Sequence, residues 1–137
     1  MKIIRKEASA VYVYEDDLTI AIMDIMPDNP GHVLIIPRYP AKDIFDVPQE
    51  SLNQIMFVSK KIAIACKKAF QADGIKIMQL NGFAAGQMVP HLHFHIIPYK
   101  NENNTIHKNM HSEKKIEKLE TLESNAQKIR KELSAII

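Results

Sequence analysis

The chain has 137 residues, 46% of them hydrophobic and 25% charged, with a formal net charge of +2. That size suits one domain with a proper core, and no apolar run is long enough to cross a bilayer. Charges of both signs are interspersed, which argues against a surface for long nucleic acid, and the one cysteine excludes an intramolecular disulfide and a cysteine-pair zinc knuckle. Residues 1–7 lack the long apolar run of a secretion signal, so a cytoplasmic location is expected.

Taken in order, residues 10–14 and 19–23 read as strands flanking the acidic turn Glu15-Asp16-Asp17. Pro27-Asp28-Asn29-Pro30-Gly31 punctuates the backbone. Residues 32–37 follow as a strand apolar enough to be buried on both faces. A helix is expected from near Asp46, with Asp46 as its cap, Gln49 completing a capping box and Pro48 in the first turn. Its apolar stripe includes Leu52, Ile55, Met56, Ile62, Cys66 and Phe70, and Gly74 is its expected stop. Residues 75–80 and 91–98 read as two more strands, joined by a connection longer than a minimal hairpin needs, as functional loops often are. After a polar linker, residues 112–135 read as a charged helix with Ile116, Leu119, Leu122, Ala126, Ile129 and Leu133 along one stripe. The pattern predicts an α+β domain, an antiparallel sheet with helices packed on it.

The most informative stretch is His91-Leu92-His93-Phe94-His95-Ile96-Ile97-Pro98. On a strand, alternate side chains face opposite ways, so one face carries only imidazole while Leu92, Phe94 and Ile96 pack on the core. Two alternate histidines can share a metal. All three cannot easily do so on a flat strand, because at ~3.3 Å per residue the outer pair stands roughly 13 Å apart. Nucleophilic chemistry asks for less convergence. A neutral imidazole can attack phosphorus and divide one displacement into two, while neighbouring imidazoles stabilise charge on the phosphate oxygens. The loop ending Gly86-Gln87-Met88 enters the same strand, so its amides can cradle an anion.

The run His91 to Ile97 resembles the signature of the histidine triad (HIT) family of nucleotide hydrolases and transferases. Tyr14-Glu15-Asp16-Asp17, Asp24-Ile25-Met26-Pro27, Pro30-Gly31-His32-Val33-Leu34-Ile35-Ile36-Pro37 and the stretch from Asn81 to Gly86-Gln87 match further family segments in order and spacing. The resemblance implies a HIT-like antiparallel sheet of about five strands with one central helix and a C-terminal helix. It places a HIT domain at residues 1–100. Residues 101–137 would then be a linker and an amphipathic helix packing on the domain or on a dimer partner.

It also implies chemistry. Family members bind purine nucleoside monophosphate moieties and usually form homodimers whose strands join one extended sheet. Carried over, His93 is the nucleophile at the α-phosphorus and His95 contacts the phosphate, while His91 and His32 orient and polarise the network. Asp24 takes the ribose hydroxyls, and Ile3, Ile22 and Ile25 form an apolar base slot. Asn81, Gly86, Gln87 and the amides around Met88 handle the phosphate and leaving group. The implied activity is hydrolysis of nucleoside phosphoramidates or related nucleotidyl conjugates through a nucleotidyl-histidine. The alternatives are a dinucleoside polyphosphate hydrolase and a low-turnover purine-nucleotide-binding module. No cofactor, metal or membrane partner is expected.

Two departures stand out. Many members have Ser or Thr where this chain has Met88, whose thioether cannot donate a hydrogen bond to a leaving group. The N-terminal cysteines that hold structural zinc in some relatives are lacking, so that zinc is not expected.

Overall fold

The computed structural model describes residues 10–101 and 115–136. Five strands form one sheet: β1 (Tyr12–Glu15), β2 (Thr19–Met23), β3 (Val33–Pro37), β4 (Gly74–Met78) and β5 (Phe94–Tyr99). Their spatial order is β1-β2-β3-β5-β4, with every pairing antiparallel. Helix α1 (Gln49–Ala69) bridges β3 and β4, and helix α2 (Leu119–Ala135) ends the described chain. This is the antiparallel sheet with a central and a C-terminal helix that the sequence predicts.

The period-two pattern divides the sheet into two faces. Ala21, Met23, Val33, Ile35, Phe94 and Ile96 join Ile55, Val58, Ile62, Ala65 and Cys66 of α1 in the main core. The opposite face carries Ile20, Ile22 and Ile36, with Tyr12 and Leu34 against them. Leu34 is paired with His95, so this second face is the one that presents His95. The core holds the sheet rigid from one side, and the chemistry sits on the other.

Several local expectations are revised. Asp46 does not cap α1; its carboxylate accepts the N–H groups of Lys42 and Asp43, closing a turn upstream. Those bonds hold its carboxyl below the usual carboxylate range. Pro48 occupies the cap position itself, without a side-chain hydrogen bond. The helix stops at Ala69 rather than near Gly74, with Gln71 taking the left-handed turn at φ 51° and Gly74 opening β4. At the other end, residues 115–118 are not helical, and Glu117 N–H donates to the Ile25 carbonyl at 2.8 Å. Helix α2 buries Leu122, Ala126 and Ile129 in the main core, and Arg130 donates through Nε to the Tyr12 carbonyl at 2.9 Å. No helix among the described residues is long and apolar enough to cross a membrane.

Candidate active site

The triad does not lie on one continuous strand. β5 begins at Phe94, and His91, Leu92 and His93 lead into it from a bend at His91. Leu92 N–H donates to the Ala41 carbonyl and His91 N–H to the Val89 carbonyl, both at 2.9 Å, so this approach pairs outside the ladder. Leu92 and Phe94 are still buried, as alternation predicts. His91 is buried too, at 7% exposure, and its ring reaches the Pro37 carbonyl at 3.1 Å rather than an open surface. Burial lowers its pKa, against the opposing pull of that carbonyl, which keeps the ring neutral.

Ring partners fix where the protons sit. His93 Nδ1 lies 2.8 Å from the His91 carbonyl, which can only accept, so Nδ1 carries a hydrogen and, in the neutral ring, Nε2 is the nitrogen with the lone pair. His91 therefore serves His93 through its backbone, not its ring. On the other side, the Asp28 amide donates to His32 Nδ1 at 3.0 Å, which puts the His32 hydrogen on Nε2. That hydrogen points at His95 Nδ1, 2.9 Å away, with Asp24 Oδ2 at 3.4 Å. His95 Nδ1 is then an acceptor, and the His95 hydrogen sits on Nε2. The rings of His93 and His95 are edge-on, with centroids 4.9 Å apart and planes at 67°. In their neutral forms these two adjacent imidazoles thus hold opposite tautomers, one offering a lone pair and the other an N–H.

His32 is fully buried, because the neighbouring turn and strand close over it. Asp24 is half-buried and uses Oδ1 to accept Met26 N–H at 2.9 Å, leaving Oδ2 on the histidine side. Ile22 is buried on the His95 face, whereas Ile25 is 53% exposed beside Asp24. Ile3 lies outside the described residues.

The loop after β4 is tied by its own amides. Asn81 Oδ1 accepts Ile44 N–H and Gln79 Nε2, while Asn81 Nδ2 donates to Gln79 Oε1. The buried Gln87 accepts Gly82 N–H and donates to the Lys42 and Val89 carbonyls. In this conformation both side chains act as struts. Gly86 takes φ +99°, a conformation an L side chain resists. Met88 and Phe83 project outward at 77% and 80% exposure. They line an open cleft of about 330 Å³ with Lys42, Asp43, Gly82, Gln87 and Pro90. Three Cα–Cα steps connect Pro90 to His93, so its Cα lies within about 11 Å of the ring-bearing backbone.

The geometry therefore gathers His93, His95, His32 and Asp24, and supports them with the His91 carbonyl. The Asp28 amide has no signature in the sequence, because any residue but proline supplies one. Asp24, His32 and His95 also bring one potential ligand atom each within 4.8 Å of one another. They do not suit a metal in this arrangement. A neutral imidazole bound through Nε2 carries its hydrogen on Nδ1, and at His32 that hydrogen would face the Asp28 N–H head-on.

The HIT domain family model matches residues 5–102. A Saccharomyces cerevisiae protein named adenosine 5′-monophosphoramidase is 39% identical over 74% of this chain and 61% of its own length. The chain likewise spans 62% of an archaeal HIT-like relative. Among solved structures, a Hit-like protein involved in cell-cycle regulation from Bartonella henselae aligns with TM-score 0.83 and 48% identity, covering 96% of this chain and 92% of its own. A zinc-bound histidine triad family protein from Mycobacterium smegmatis aligns with TM-score 0.84 and 30% identity, covering 98% and 91%. On these matches, over the segments that build the site, the chain belongs to the histidine triad family.

Proposed function

We propose that the protein hydrolyses nucleoside phosphoramidates or closely related nucleotidyl conjugates at the α-phosphorus. The observation that carries this reading is the set of ring hydrogen bonds that assigns opposite tautomers to neutral His93 and His95. His93 Nε2 attacks phosphorus while the His95 N–H receives a phosphate oxygen. The phosphorus–nitrogen bond breaks, and the nitrogen takes a proton from solvent to leave as the neutral amine; the hydrolytic water later returns one proton to solvent. Water then attacks the nucleotidyl-histidine, releasing the nucleoside monophosphate and restoring neutral His93. Asp24 holds the ribose hydroxyls as an acceptor, and Ile22 and Ile25 flank a purine base.

Similarity to the yeast phosphoramidase supports amine leaving groups over the dinucleoside polyphosphate alternative. The open cleft beside Met88 suits a leaving group of varied size. Exposure of Met88, which has no hydroxyl to assist departure, favours one second reading, a nucleotide-binding module with little turnover. We also read the protein as a cytoplasmic homodimer joined along the β4 edge, where Ile77 is 47% exposed.

Brief incubation with an adenosine 5′-phosphoramidate, followed by alkaline quenching and peptide mass analysis, tests the chemistry. The expected result is an acid-labile gain of one adenylyl mass on the peptide containing His93. In His93→Ala, hydrolysis should fall at least about 10⁴-fold while nucleotide binding persists. Undiminished turnover in that variant would remove His93 as nucleophile. Binding without turnover of any conjugate by the wild-type protein would favour the module.

A further inference from the structure

The Asp28 amide, donating to His32 Nδ1, orients the proton chain through His32 and His95 from one end. Asp28 sits in the turn between β2 and β3, and this turn is gripped from two sides. Beneath it, Cys66 of α1 approaches the Gly31 carbonyl at 3.7 Å and the Phe70 ring fills the space beside Gly31. Across from it, Asn29 Nδ2 donates to the Pro98 carbonyl of β5 at 3.0 Å. The Asn29 carbonyl in turn accepts His32 N–H at 3.2 Å. One residue thus ties the amide-bearing turn to the strand that carries His95, and holds the His32 backbone within the same turn.

We propose that Asn29 is a positioning residue that sets the tautomer of His95 through the Asp28 amide and His32. The consequence rests on the proposed phosphate-facing role of His95. With the amide aimed at His32 Nδ1, the His32 hydrogen lies on Nε2, His95 accepts it at Nδ1, and His95 Nε2 is a donor. If the turn swings away, His32 can carry its hydrogen on Nδ1 instead. Its Nε2 then becomes an acceptor, His95 donates from Nδ1, and His95 Nε2 offers a lone pair. A lone pair facing a phosphate oxygen repels it, where an N–H attracts it. Asp24 Oδ2, at 3.4 Å from His32 Nε2, favours the working tautomer from the other side, so loss of Asn29 mixes the tautomers rather than inverting them completely.

The sequence gives little hint of this role, since Asn before Pro-Gly reads as ordinary turn chemistry. Asn29 is half-buried and contributes no atoms to either hydrophobic core, so replacing it tests alignment rather than packing.

The test is ¹⁵N spectroscopy of the histidine ring nitrogens in wild type, Asn29→Ala and the isosteric Asn29→Asp, with amide spectra to verify folding. In wild type, His32 and His95 should both be Nε2–H tautomers and His93 an Nδ1–H tautomer. In Asn29→Ala, the His32 and His95 signals should move to averaged positions while His93 stays unchanged. Asn29→Asp, which sets a carboxylate against the Pro98 carbonyl, should move them at least as far. Affinity for a nucleoside 5′-monophosphate and phosphoramidate turnover should each fall about two- to threefold, as expected when roughly half of the molecules keep the competent tautomer, while affinity for the unphosphorylated nucleoside is unchanged. General loosening of the site would weaken both ligands. A wild-type His32 found as Nδ1–H, or unchanged tautomers in both variants, overturns the proposal. A wild-type protein with the expected tautomers but no nucleotide binding would instead overturn the proposed activity, leaving the role of Asn29 in the proton chain intact.

Discussion

Gly31 packs against one edge of the Phe70 ring: a β-carbon built on it would stand 2.7 Å from Cδ2 and 2.9 Å from Cζ, inside van der Waals contact. Gly31 also adopts φ +93°, so two independent constraints select glycine immediately before the buried His32. Gly31→Ala should destabilise the protein by about 2 kcal/mol, combining backbone strain with overpacking. Adding Phe70→Leu should recover the overlap component alone. Urea unfolding of the two single variants and the double variant checks this, and strictly additive losses would show that Phe70 is not the obstruction.

The buried imidazole of His91 makes stability depend on pH with a definite sign. Burial depresses its pKa from the ordinary value of 6.5, so the unfolded chain takes up this proton more readily than the folded one. The contribution of His91 is therefore fully present above pH 6.5 and is lost as pH falls through the lower folded value. Asp16 acts in the same direction further into acid. Burial alone would raise its carboxyl, but hydrogen bonds from Gln54, Tyr14, Leu18 N–H and Thr19 N–H outweigh that and lower it below 3.8. Unfolding free energy measured across this range should decline in two stages. In His91→Gln the decline just below pH 6.5 should be shallower than in wild type; identical slopes would mean His91 is not the titrating group.

The limits of the sequence as a guide are clearest around these same residues. Alternation in 91–98 correctly identified Leu92, Phe94 and Ile96 as inward, because inward packing needs only an extended backbone. It did not reveal that residues 91–93 pair with Ala41 and Val89 rather than in the ladder, since periodicity carries no information about the hydrogen-bond partner. Nor could it show that His91 contributes a carbonyl to the nucleophile, a role open to any residue there. Asp46 and Gly74 misled for a related reason. Both types suit helix ends, yet Asp46 was taken by a closer pair of amides and Gln71 turned the chain before Gly74 was reached. The gathering of Asp24 and His32 with His95, 63 residues beyond His32, joins two distant segments, and only the family resemblance linked them in advance.

Met88 tests how far the leaving group needs a hydroxyl. Its side chain is 77% exposed, so substitution there should leave the fold unchanged. If amine departure limits turnover, Met88→Ser should raise kcat about two- to tenfold, the range of one added hydrogen bond, with little change in nucleoside monophosphate affinity. Steady-state rates on a panel of phosphoramidates with increasingly basic amines check this. The gain should be largest for the poorest leaving groups, and a flat or negative response across the panel would place the slow step after departure.

A last expectation concerns the helix face opposite the core. Met56, Phe57 and Ile64 of α1 are 47%, 55% and 37% exposed, and Ile77 on the edge strand β4 is 47% exposed. Among the described residues β4 is bonded to β5 alone within the sheet, which leaves its outer side as an edge beside the half-exposed Ile77. Edges of that kind invite pairing with a second strand. Pairing two copies across β4 would extend the sheet, and the exposed apolar side chains of α1 are a second surface that the other copy can cover. Lys61 Nζ stands 4.8 Å above the Phe57 ring, so the aromatic surface already sits beside a cation that tolerates water. Phe57→Asp places a carboxylate on this face without touching the intramolecular core. The wild type should run as a dimer by light scattering, and Phe57→Asp should weaken association at least about 100-fold by burying an unpaired charge. A wild-type protein that stays monomeric at high concentration would remove the β4 edge as an interface. A Phe57→Asp dimer of undiminished affinity would confine the contact to the strand.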